Sequence, residues 1–203
     1  MLRCIGIIGD SISHGFYDAE DLGWVARFGR LVLQKHPGEY VFNNMAQAGD
    51  NVADAYHRAM TEAGSRHLDL IIVNIGINDL RRRRNSDFQL DLSEGARIMY
   101  WQNLLEFLGS TGAEIVVADL LPVIEERYIP EATHVRKNSD VERYNEIIKE
   151  VCAEYDVPFF QRYAAWRTRD LSALYQDATH PNARGHQLIA EETLAFLQQN
   201  GLI

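Results

Sequence analysis

Four short segments of the chain hold the residue types that acyl transfer needs. Gly9-Asp10-Ser11 offers a hydroxyl, and Ala48-Gly49-Asp50-Asn51 a glycine whose backbone can approach a reacting atom. Gly76-Ile77-Asn78-Asp79 offers a side-chain amide, and Asp177-Ala178-Thr179-His180-Pro181-Asn182 an imidazole three residues after a carboxylate. A serine hydroxyl is a poor nucleophile at neutral pH, so it needs an imidazole base, and the imidazole needs an acceptor that fixes its tautomer. Ser11, His180 and Asp177 have the types for those three roles. A tetrahedral intermediate also needs donors aimed at its oxyanion, which the backbone N–H groups of Ser11 and Gly49 and the amide of Asn78 can supply. This chemistry requires no cofactor.

The elements that must position these residues are legible as a strand-and-helix alternation. Arg3–Gly9 is a short apolar run ending at the Gly-Asp-Ser turn, and similar runs recur at Tyr40–Met45, Asp69–Ile75, Glu114–Leu120 and Val157–Phe160. Between them apolar residues fall three and four apart, the period of one helix face: Val52, Ala55, Tyr56, Ala59 and Met60, then Ile98, Trp101, Leu104, Leu105 and Leu108. Trp24 belongs to a similar packing stretch with Val25, Phe28, Leu31 and Val32. Ser139 followed by Glu142 predicts a capping box, opening a helix that buries Val141, Tyr144, Ile147, Ile148, Val151 and Cys152. A last helix is expected from near Asn182, just after Pro181, carrying Leu188, Ile189, Phe196 and Leu197. Right-handed crossovers then give a three-layer α/β/α fold, a five-stranded parallel sheet with helices on both faces. Ligands of such sheets bind beyond the carboxyl ends of the strands, where the first three segments stand. The aperiodic stretch Pro122–Asn138 is an insertion long enough to shape a site.

Composition narrows the partners. The length of 203 residues is expected to form one domain spanning 1–203, with one core. A formal charge of -9 opposes affinity for nucleic acid phosphates. No stretch approaches about 18 consecutive apolar residues, so stable membrane insertion is not expected. Ser11 stands too close to Met1 for a cleavable signal peptide to precede it, which points to the cytoplasm. Cys4 and Cys152 are expected there as buried free thiols. The expected partner is a small-molecule ester; the pattern carries no signal of oligomeric state.

The four segments, in this order, resemble the blocks of the SGNH or GDSL hydrolases. The match reads Gly9-Asp10-Ser11, Gly49, Gly76-Ile77-Asn78-Asp79 and Asp177-Ala178-Thr179-His180, with Ile12 where the family name has leucine. The resemblance implies a flavodoxin-like fold and an esterase, lipase, thioesterase or carbohydrate deacetylase. It makes Ser11, Gly49, Asn78 and His180 the four named residues and Asp177 the triad acid. No Gly-x-Ser-x-Gly surrounds Ser11, so the nucleophile elbow of α/β-hydrolases is not the pattern. Ser11 is expected instead on a turn that opens a helix, aided by the helix's positive end.

Plainer readings stand beside these. Alone, Ser11 reads as a turn or N-cap serine, and Gly49 and Asn78 as turn residues; the four blocks together favour the chemical reading. Asp10 reads as an acceptor for loop N–H groups. His14 is a candidate for lining the substrate cleft. Arg81, in the run Arg81–Arg84, is a candidate for attracting an anionic substrate, against the reading of a solvated loop balanced by Asp79, Asp87 and Asp91. His186 competes with His180 for the base role, and the Asp177 spacing favours His180. A zinc site from His180, His186 and Asp177 lacks a compact ligand motif, so no metal is expected. Two rival functions keep the same fold: an acyltransferase using the same site, and a non-catalytic flavodoxin-like binding protein.

Overall fold

Strand and helix alternate along the chain, described over residues 2–83, 89–129 and 132–203 in a computed structural model. The order is β1 (Arg3–Gly9), α1 (Ser11–His14), α2 (Gly23–Lys35), β2 (Tyr40–Asn44), α3 (Val52–Glu62), β3 (Leu70–Asn74), a 3-10 turn at Ile77–Leu80 and β4 (Arg82–Arg83). There follow α4 (Glu94–Ser110), β5 (Glu114–Ala118), β6 (His134–Val135), α5 (Asn138–Glu154), β7 (Phe159–Phe160), α6 (Tyr163–Arg167) and α7 (Ala183–Gln199). All pairings of the five-stranded sheet are parallel, in the order β2-β1-β3-β5-β7. The three-layer α/β/α fold expected from the alternation is the one observed.

Periodicity explains the layers. Every residue of β3 is buried, as a strand covered on both faces must be. Its four aliphatic side chains each contribute about 1.5–3 kcal/mol of transfer free energy. On one side of the sheet α2 packs against α7, and on the other α4 packs against both α3 and α5. The chain leaves β1 leftward to β2 and then returns across β1 to β3, so the strand order reverses between β1 and β3. That reversal opens the crevice in which such sheets bind ligands.

Several expectations about local structure need correction. Strands end earlier than the apolar runs do: β2 stops at Asn44 rather than Met45, β3 at Asn74 rather than Ile75, and β5 at Ala118 rather than Leu120. Ile75 and Leu120 remain buried, in loops under the site. Met60, which shares the apolar period of α3, is exposed rather than buried. Ser139 is not an N-cap, because α5 begins at Asn138, capped from Lys137 with no side-chain bond. The Asn138 amide instead bonds the backbone N and O of Val123, while Glu142 accepts from the Tyr163 hydroxyl. The opening of α7 agrees with expectation: Asn182 caps it by accepting from Gly185 N.

Candidate active site

β1 ends at Gly9, and the chain turns at once into the four-residue helix α1, whose first residue is Ser11. Asp10 caps it, its buried carboxylate accepting from Ile12 N at 2.9 Å. A helix of one turn has little macrodipole, so the expected help from a positive terminus is small. Ser11 Oγ lies 2.9 Å from His180 Nε2, and His180 Nδ1 lies 2.7 Å from Asp177 Oδ2. With its Nδ1–H donated to the carboxylate, the imidazole presents Nε2 as an acceptor for the serine hydroxyl.

Asp177 is fixed more by its own turn than by its neighbours. Its Oδ1 accepts from the backbone N–H groups of Thr179 and His180 at 2.7 and 2.6 Å. Burial pushes this carboxyl up, but the His180 side chain and these two N–H donors outweigh it and hold the pKa at about 2. The acid is therefore ionised wherever the protein is folded near neutrality. Much of the aperiodic Pro122–Asn138 stretch clasps this turn. Ile124 N donates to Ala178 O, Arg127 donates to the carbonyls of Tyr175 and Asp177, and the Tyr128 hydroxyl bonds Thr179 Oγ1.

The other two blocks meet at the same strand ends. Gln47 N donates to Gly9 O, tying the Gly49 loop to the end of β1. Gly49 adopts φ 93°, a left-handed backbone that favours glycine. Asn78 is buried in the 3-10 turn after β3, where its Nδ2 donates to Asp50 O at 2.8 Å, leaving one amide hydrogen. Among the described residues, the N–H groups of Ser11 and Gly49 have no acceptor. Asp79, beside Asn78, accepts from Val52 N at the start of α3; burial raises its pKa to about 7 against that bond. Burial likewise raises Asp10 to about 6, opposed by Ile12 N–H and by Arg136, His180 and Arg81 nearby.

Arg81 departs from the reading of a solvated loop residue balanced by Asp79. It does not pair with Asp79: its Nη2 donates to Asn78 Oδ1 at 2.7 Å and to Gly49 O at 3.3 Å. Burial, with Arg136 and Arg83 close by, holds it below the usual guanidinium range. Arg82 pairs with Asp140 and Arg83 with Asp91, while Arg84 and Asp87 lie outside the described residues. A residue that the sequence did not single out completes the arrangement. Arg136, buried, donates to Asn78 Oδ1 at 2.8 Å, to Ile77 O at 2.7 Å and to Thr179 Oγ1 at 3.2 Å, joining the third block to the fourth. Two guanidiniums thus hold the Asn78 oxygen and turn its amide nitrogen the other way.

The remaining histidines separate clearly. His186 is fully buried, accepting from Trp24 N through Nδ1 and donating to Phe16 O through Nε2. Both nitrogens are engaged, so it is neither the base nor a ligand partner of His180. His14 is exposed, bonded to Ala46 O through Nδ1, and lines one end of a groove of about 650 Å³ between α2 and β2. No group of three or more potential metal ligands exists among the described residues. A hydroxyl, an oriented imidazole and an ionised acid in line, with backbone and amide donors at neighbouring strand ends, can carry out acyl transfer.

Comparison with known proteins agrees with this fold. Residues 7–188 match the GDSL-like Lipase/Acylhydrolase family. No curated protein matches by sequence. Among solved structures, the chain is similar to a lipase/acylhydrolase from Enterococcus faecalis, with TM-score 0.80 and 19% identity over 98% of this chain and 97% of that one. It is also similar to a putative GDSL-like lipase from Parabacteroides merdae, with TM-score 0.79 and 17% identity over 100% and 99%. A catalytic mutant of an acetylxylan esterase from Geobacillus stearothermophilus gives TM-score 0.78 and 20% identity over 99% and 95%.

Proposed function

Since the chain belongs to the GDSL-like lipase/acylhydrolase family and is a carboxylic ester hydrolase, we propose that it cleaves a small or short-chain ester through an acyl-enzyme on Ser11. The observation that carries this reading is the unbroken line of hydrogen bonds from Ser11 Oγ through His180 to Asp177. Ser11 Oγ attacks the ester carbonyl while His180 Nε2 takes its proton. The oxyanion is held by the N–H groups of Ser11 and Gly49 and by the free amide hydrogen of Asn78. As the ester C–O bond breaks, His180 returns the proton to the leaving oxygen. Water then attacks the acyl-serine with His180 again as base, releasing the acid. Asp177 orients the imidazole and balances its charge without taking the proton.

A short acyl group suits the polar groups, Arg81 and Asn78, that stand beside the proposed oxyanion donors. The reading takes all 203 residues as one domain. It includes a cytoplasmic setting, in keeping with the free thiols of Cys4 and Cys152, the first half-buried and the second buried. The test is Ser11→Ala. Turnover of p-nitrophenyl acetate should vanish with circular dichroism unchanged, and a fluorophosphonate should label the parent protein alone. Turnover that survives the substitution would overturn the assignment.

A further inference from the structure

The guanidiniums of Arg81 and Arg136 bring the site a charge that the acyl-transfer steps leave unused. β4 and β6 pair as a small antiparallel ribbon, with Arg83 opposite His134 and Arg82 opposite Val135. Alternation along the ribbon puts Arg81 and Arg83 on one face together with His134 and Arg136, and sends Arg82 to the other, where it meets Asp140. Arg83 is paired with Asp91. Arg81 and Arg136 instead end their bonds on the neutral oxygens of Gly49, Asn78, Ile77 and Thr179, and among the described residues neither has a carboxylate partner. Asp10 senses both charges at longer range but spends its carboxylate on Ile12 N. Burial, with Arg136, Arg81 and Arg83 close by, lowers His134 to about 4, so it is neutral near pH 7. A chain of formal charge -9 thus gathers unanswered cations beside its serine.

The position of Arg81 decides which part of an ester meets that charge. Its Nη2 lies on Gly49 O and Asn78 Oδ1, next to two of the proposed oxyanion donors. The space beside Gly49 is otherwise open: a Cβ added there would meet only Arg81 Nη2, at 3.8 Å. Among the described residues Arg81 Nε and Nη1 meet no acceptor. The leaving oxygen must lie by His180 Nε2, which protonates it, so a charge set beside the oxyanion donors meets the acyl chain. A guanidinium offers a fixed fork of donors that matches a carboxylate, and a half-buried charge without a counterion gains when one arrives. We infer that the ester carries a second carboxylate on its acyl group, as in a monoester of a short dicarboxylic acid such as succinate, and that Arg81 receives this free carboxylate. Ser11 Oγ takes the acyl group as the alcohol leaves with the proton from His180, and water then releases the diacid. The inference rests on the ester-hydrolase reading of Ser11 and names its acyl specificity.

The test compares monoethyl succinate with ethyl levulinate, which has the same leaving group and chain length but a methyl ketone in place of the carboxylate, in the parent protein and in Arg81→Met. The parent should turn over monoethyl succinate with about tenfold higher kcat/KM, the weight of one charge-assisted bond partly screened by water. Arg81→Met should lose about tenfold more on the succinate than on the levulinate, chiefly through KM, whereas any loss that acts through Asn78 falls on both esters alike and appears in kcat. Equal losses on both esters would mean that Arg81 only holds Asn78, and would overturn the inference. So would a parent protein that shows no preference for the succinate, a result that needs no variant to fold. A preference as large for acetoxyacetate over acetoxyacetone would put the carboxylate on the leaving alcohol and overturn it too. Fluorophosphonate labelling of Ser11 in the parent runs in parallel: with labelling intact, a flat result sinks the carboxylate site alone, whereas no labelling sinks the hydrolase reading beneath it.

Discussion

Asn78 keeps its amide in a single orientation because Arg81 and Arg136 both donate to its oxygen, and each such charge-assisted bond is stronger than a neutral one. Arg136 is on this account a positioning residue. Arg136→Met should lower kcat about tenfold with little change in KM, a loss confined to the transition state. Asn78→Ala should lower kcat by roughly 10²–10³ as the loss of an oxyanion donor. In the Asn78→Ala background the Arg136 substitution should then change kcat less than about twofold, since coupled residues are non-additive. Additive losses in that cycle would make Arg136 merely structural. Ser11, His180 and Asp177 were legible because acyl transfer demands those types and the Asp-x-x-His spacing is local. Arg136 was not: it is one of three cations, with Arg127 and Lys137, in an aperiodic stretch, and its partners Ile77, Asn78 and Thr179 are distant in sequence.

Among the elements, helix faces and parallel strands were legible from periodicity, while their ends and the small pieces were not. A period says where a face lies but not where a backbone bond fails, which is why β5 stops at Ala118 although the apolar run continues. The pairing of β4 with β6 joins two-residue strands, too short for any period to show. Ser139 misled because its neighbour Asn138 makes tertiary bonds to Val123 that set where α5 begins. His186 shows what one buried side chain in α7 does for a distant turn. His186→Leu leaves Trp24 N–H and Phe16 C=O without a partner, and each orphaned group costs about 1–3 kcal/mol. The urea midpoint should fall with the m-value unchanged; a loss under about 0.5 kcal/mol, within the range of surface changes, would show that water replaces both bonds.

For the molecule as a whole, buried carboxyls make stability depend on pH in an unusual direction. Asp10 at about 6 and Asp79 at about 7 both lie above the ordinary value of 3.8. Each therefore binds its proton more tightly folded than unfolded. The stability this contributes is full below the ordinary value and is lost as pH rises through about 6 and 7. Asp177, held at about 2, acts oppositely, and only in a more acidic range. Asp79→Asn should accordingly raise the Tm relative to the parent more at pH 8 than at pH 5, read by calorimetry at matched ionic strength. An equal shift at both values would mean that Asp79 ionises normally. The three-layer arrangement was legible at this scale because strand and helix lengths alternate regularly, whereas the clasp of the Pro122–Asn138 stretch on the Asp177 turn was not, most of its bonds ending on backbone carbonyls that no residue type announces.

The packing of α7 against α2 has a consequence for synthesis on the ribosome. Ser11 is made 169 residues before His180, so in a growing chain the hydroxyl has no imidazole beside it until the Asp177 turn has emerged and docked. On the proposed mechanism the serine is armed only when these two distant segments pack together, and before that a growing chain has no activated hydroxyl with which to attack esters.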